Sequence, residues 1–331
     1  MSLLIRKSWI VFIYAIALSI ESIVFEYLTS SFIQISAIIL SSISITSSGI
    51  MLLLVAAFIF KKKKEILILF SESWKNLILV SLSLSVGIFT WYDSINRIGA
   101  SKEVLISGSL EIVIIVILAR VFLNERLSRF HIIGIGLALA GFFMAVTSDA
   151  NISVVDIIEI TKGTSLLSFI SFGDVEAIIS AFGFAIGVLV LSKLVLKHSS
   201  IEVAGASMFT SGLMLVGFMI LGVLSYESNH IILSSNEVSL LRQPIIIAII
   251  ILFSLLPFIG SLSYSTGLSM IGASLTATIG SSSILLTVVI QIVLKEFGIS
   301  SHLPENIFLA ILGGVTGFLG IYTIHMSDYP T

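Results

Sequence analysis

The sequence predicts an all-α integral membrane protein whose ten transmembrane helices form two inverted five-helix repeats. Three observations carry that expectation. Of 331 residues, 57% are hydrophobic and 11% charged, whereas soluble domains carry about one-quarter charged residues. Apolar stretches of the roughly 20 residues that a spanning helix needs recur along the whole chain. One order of elements, including a shared tetrapeptide, occurs in both halves. The net charge of −2 gives no basic surplus for a nucleic-acid partner. With no cysteine there is no disulfide framework or thiolate metal site, and the five histidines stand singly without zinc-site spacing. No metal or cofactor is expected.

In chain order, the first span, about residues 9–29, follows Arg6 and Lys7. Its apolar run continues past Ala15-Ile16-Ala17, which distinguishes it from a cleaved secretory signal. The second, about 34–60, stops at Lys61 to Lys64, a stop-transfer run suited to lipid headgroups. The third, about 74–95, ends near Trp91 and Tyr92, and the fourth, about 101–122, follows Ile98-Gly99-Ala100-Ser101 and carries Glu111. The fifth, about 131–148, is spaced by Gly134, Gly136 and Gly141. A connection over 149–172 contains an apolar-periodic stretch at 154–160, readable as a surface helix or a plain linker. The sixth span, about 175–196, follows Gly173-Asp174, and the seventh covers about 203–225. After polar residues 226–243, the eighth, about 244–267, contains Pro257, which frees a backbone carbonyl and favours a kink. The ninth, about 273–295, follows Ile271-Gly272-Ala273-Ser274, and the tenth, about 305–325, holds Gly313, Gly314, Gly317 and Gly320.

The repeated tetrapeptide is followed each time by an apolar helix, a charged break (Asn124-Glu125-Arg126; Lys295-Glu296) and a glycine-rich helix. This order divides the chain into units at 1–148 and 173–331, joined by an extracytoplasmic linker at 149–172. An odd number of spans per unit inverts the second relative to the first, the layout of alternating-access carriers. With a cytoplasmic N-terminus, most of the Lys and Arg residues fall inside, so both termini are expected in the cytoplasm and the protein in the plasma membrane.

A carboxylate within a span costs about 2.5–3.5 kcal/mol on insertion scales and needs a reason. Glu111 lies about 15 Å past Ser101 along its helix, close to the midplane, as a proton or cation site or a buried structural carboxylate. Glu21 lies about two-thirds across the first span. Trp91, Tyr92 and Tyr264 occupy matching ends of repeat-related helices, as interfacial rings or cavity walls. Ser282 and Gln291 offer hydrogen bonds to a substrate from the ninth span, although hydroxyls there also suit close packing. These seven are the candidate substrate-binding residues. Glu26 reads as interfacial, and Asp93 pairs with Arg97 at a helical spacing.

Ser109-Leu110-Glu111, Leu123-Asn124-Glu125-Arg126-Leu127-Ser128 with the glycine-spaced helix after it, Gly173-Asp174, and the stretch Tyr264 to His325 together resemble the ten-helix EamA-type members of the drug/metabolite transporter superfamily. Relatives often have Pro where this chain has Ile112, so its fourth helix is expected to be straighter. The resemblance implies a secondary carrier, exporter or permease, of a small metabolite such as an amino acid, acting without catalysis. Its implied partners are the substrate, a coupled proton and the bilayer, with a monomeric or homodimeric protein. A flippase or exporter of lipids or hydrophobic compounds shares the architecture. An intramembrane aspartyl protease fits poorly, because Asp93 and Asp174 lie near helix ends. The expected motion is a rocking of the two five-helix halves.

Overall fold

The computed structural model describes residues 2–33, 35–123, 129–148, 170–225, 240–299 and 302–326, and every regular element among them is a helix. This is what hydrocarbon demands, since a helix satisfies its backbone polar groups within one segment. The first helix, α1 (Ser2–Tyr27), and α2 (Ala37–Leu54) each run on into a π-helical turn, at Leu28–Phe32 and Val55–Ile59. A short helix, α3 (Lys63–Glu72), follows the lysine run, whose Lys62 reaches Glu202 at 3.0 Å. Then come α4 (Trp74–Ile98), α5 (Ala100–Leu123) and α6 (Arg129–Thr147). The second half holds α7 (Phe172–Val195), α8 (Ser200–Ser225), α9 (Pro244–Phe253), α10 (Leu255–Ile271), α11 (Ala273–Gly280), α12 (Ser282–Glu296) and α13 (Ile307–Met326).

Nine stretches among the described residues are long and apolar enough to cross a membrane, with α9–α10 and α11–α12 each counting as one. The polar-studded α5 packs among them, against α6 and α7, and runs unbroken past Ile112. Asn124-Glu125-Arg126, the linker through residue 169 with its 154–160 stretch, and residues 226–239 lie outside the description.

Helices from the two halves interleave. α1 packs on α10, α2 on α8, α4 on α7 and α6 on α13. Small residues set three of these contacts. A Cβ added at Gly141 would sit 2.6 Å from Gly317 N and Gly313 O, one at Gly183 2.7 Å from Gly87 Cα, and one at Gly212 2.6 Å from Thr46 N. Backbones this close gain dispersion that lipid tails cannot match.

The two tetrapeptides form the same turn. Gly99 (φ 82°, ψ 158°) separates α4 from α5, and Gly272 (φ 81°, ψ 172°) separates α10 from α11. Positive φ favours glycine at both places. The eighth span is interrupted at Ser254, one turn before the expected kink residue. Pro257 sits in the first turn of α10, where its missing N–H leaves the carbonyl four residues earlier, on Phe253, without its usual donor. The ninth span breaks at Ser281.

Candidate functional site

Ser281, at the break in the ninth span, and Pro257, just after the break in the eighth, border one cavity of about 160 Å³. α1 contributes Tyr14, Leu18 and Glu21, which recur at the i, i+4, i+7 spacing of one helical face. α4 supplies Trp91 and Tyr92, α5 supplies Ser107 and Glu111, and α7 supplies Phe184. From the broken spans come Pro257, Tyr264, Gly280, Ser281 and Ser283, while α2 and α8 close the sides with Ile45 and Met208.

The polar groups are arranged by aromatic packing. Phe25 stacks on the Tyr92 ring at 3.9 Å, holding the phenol so that its hydroxyl donates to Glu21 Oε1. Trp91 leans on Tyr92 at 4.7 Å and on Phe184 at 6.2 Å. Across the cavity, Tyr14 and Tyr264 pack at 4.6 Å, and the Tyr264 hydroxyl, although buried, has no hydrogen-bond partner. Among the described residues the lining contains two carboxylates, Glu21 and Glu111, and no Lys, Arg or His. Among the described residues no three His, Cys, Asp or Glu side chains cluster as a metal site.

Five of the seven sequence-derived candidates, Glu21, Trp91, Tyr92, Glu111 and Tyr264, therefore line one space. Ser282 does not, since its hydroxyl donates to Ile279 O at 2.7 Å while Ser281 and Ser283 face the cavity. The helix break at Ser281 shifts the register that an unbroken span would have. Gln291 is fully buried elsewhere. Its Nε2 donates to Glu26 Oε2 at 2.7 Å and its Oε1 accepts from Ser101 N at 3.0 Å.

Glu26, expected at the interface, is buried. It also accepts from Ala100 N at 2.9 Å and from His302 N, and so ties the end of α1 to the Gly99 turn and to the segment before α13. The Asp93–Arg97 pair forms at 2.9 Å, and Arg97 also reaches Glu176 at 2.9 Å. Beside it, Asp174 caps α7 through Ser171 and pairs with the buried Lys102 at 3.1 Å.

Sequence reading missed Tyr14, Ser107 and Phe184. Tyr14 and Ser107 were findable, being seven residues before Glu21 and four before Glu111 on the same helical faces. Phe184 carries no such signal, because apolar residues surround it on all sides of α7.

Residues 7–147 match the profile of the EamA-like transporter family. A crystal structure with 14% identity superposes with a TM-score of 0.61, covering 98% of this chain and 99% of that one, a likeness of fold. No curated protein sequence matches the chain.

Proposed function

We propose that this chain, whose residues 7–147 match the EamA-like transporter family, is a membrane transporter of the drug/metabolite transporter superfamily, a secondary carrier of a small metabolite, an amino acid or related solute, working by alternating access. The observation that carries the proposal is the cavity, in which Glu21 and Glu111 face one space between helices of both halves with no cationic side chain among the described lining residues. Such a space binds a small polar or cationic solute and takes up protons. Glu21, Trp91, Tyr92, Glu111 and Tyr264 form the binding site. The carboxylates favour this reading over a lipid flippase, which would want an apolar slot.

The equal Gly99 and Gly272 turns and the reciprocal packing of helices support two inverted five-helix repeats. The same packing changes the expected motion. Because α4 and α5 pack on α7, and α1 packs on α10, α11 and α12, the moving bodies are these two groups of mixed origin rather than the halves themselves. The pairs α2–α8 and α6–α13 flank them. The broken spans α9–α10 and α11–α12 border the site, as discontinuous helices do in carriers.

Counterflow in proteoliposomes against amino acids, amines, sugars, phosphates and nucleosides tests the function. One class should exchange, and Glu111→Gln should abolish the pH dependence of its transport in a folded protein. No exchange by any class, or unchanged pH dependence, would overturn the reading.

A further inference from the structure

Glu103 is absent from the cavity lining, yet it is a fully buried carboxylate in the first turns of α5. Its Oε1 accepts from Ser180 Oγ of α7 at 3.2 Å, and its Oε2 has no hydrogen-bond partner. No cation pairs with it among the described residues. Lys102, one position before it, is turned to Asp174 of α7 at 3.1 Å, and Arg97 of α4 is engaged by Asp93 and Glu176. Among the described residues the Ser107 hydroxyl, the Trp91 indole of α4 and, farther along its own helix, the Glu111 carboxylate also act on Glu103. From α1 and α12, Glu26 and Gln291 bind the backbone just before it, at Ala100 and Ser101.

Glu103, Ser107 and Glu111 are spaced by four residues each, so they form one stripe along a single face of α5, rising about 12 Å. The stripe begins beside the Lys102–Asp174 pair at the end of the bundle and finishes in the cavity, which Ser107 and Glu111 both line. A carboxylate within reach of a hydroxyl, with a free oxygen and no counter-cation, is equipped to exchange a proton.

We propose that Glu103 is a proton-transfer residue, passing protons between the Lys102–Asp174 end of the bundle and Glu111 through Ser107. The Ser107 oxygen takes the proton of the Glu103 carboxylic acid while the Ser107 hydroxyl proton passes, through cavity water, to the Glu111 carboxylate. The balance is one carboxylic acid and one carboxylate exchanged, with serine regenerated. The proposal rests on the carrier reading only for its use, because proton arrival at Glu111 is measurable without any substrate.

The test is a pH jump on the full-length protein in lipid, followed by time-resolved infrared absorption of the protonated carboxyl band, with Glu111→Gln identifying the Glu111 component. In Glu103→Gln the Glu111 component should keep its amplitude and appear roughly tenfold or more slowly. Ser107→Ala, which keeps both carboxylates and decides the matter if the first variant does not fold, should slow it similarly, and Glu103→Asp should restore part of the rate. Unchanged Glu111 protonation rates in Glu103→Gln and Ser107→Ala would overturn the path. A failed counterflow screen with a slowed proton rate would instead remove the carrier reading and leave the path standing.

Discussion

His302 lies outside the spanning helices, with its side chain 61% exposed, and its ring Nδ1 is 3.2 Å from Glu26 Oε1. The hydrogen bond to this carboxylate holds the imidazole above its ordinary range, with burial working the other way. A folded value raised above the unfolded one means that the stabilisation is complete below about pH 6.5 and fades as pH rises through the higher folded value. Solvent screening limits it to about 1 kcal/mol or less. Thermal unfolding in detergent should therefore separate the wild type from His302→Gln at about pH 6 and bring them together at alkaline pH. A gap that stays constant with pH would exclude the charged imidazole. Nothing local in the sequence announces this contact, because Glu26 and His302 are 276 positions apart. Glu21 and Glu111 were legible for the opposite reason. A charged side chain deep in a span is costly wherever it points, so its presence alone demands an explanation.

At the scale of helices, the sequence told most about where spans lie and least about where they break. Hydropathy reports burial in lipid and says nothing of backbone continuity, so it is blind to the interruptions at Ser254, inside an apolar run, and at Ser281, at the head of three serines. Pro257 marked the first only approximately, since proline is tolerated in the opening turn of the next helix. Pro257→Ala should restore the missing donor and stiffen the α9–α10 junction. We expect a slowed transport rate with unchanged thermal stability, and an unaltered rate would show that the break does not move. The glycines divide by what faces them. Gly141→Ala drives a Cβ into the backbone of α13 and should cost about 1–3 kcal/mol. Gly136→Ala meets nothing within 4 Å and should be neutral or stabilising by up to about 1 kcal/mol. Melting of the two variants in detergent checks the contrast, and equal losses would contradict the α6–α13 seam.

For the whole molecule, an order of elements shared by the two halves was legible in the sequence, whereas the interleaving of their helices was not. Which helix touches which depends on small residues meeting across long stretches of chain, as Gly87 meets Gly183 or Gly134 meets Gly320 O at 2.6 Å from an added Cβ. The grouping it produces predicts how distances change. Spin labels at the exposed positions Leu79 on α4 and Ile179 on α7 should hold a fixed separation when pH or substrate is changed, as should Ile13 on α1 with Ile259 on α10. Leu79 with Ile13 should shift. Movement within either fixed pair would return the motion to the sequence halves.

The seam between α6 and α13 also sets a timetable for synthesis. Of the described helices α13 leaves the ribosome last, and until it inserts, the face of α6 that carries Gly134 and Gly141 has no protein partner. Closure of this seam comes late, and a chain stopped before Ile307 should be recognised by quality-control proteases as unfinished, however well its earlier helices have inserted.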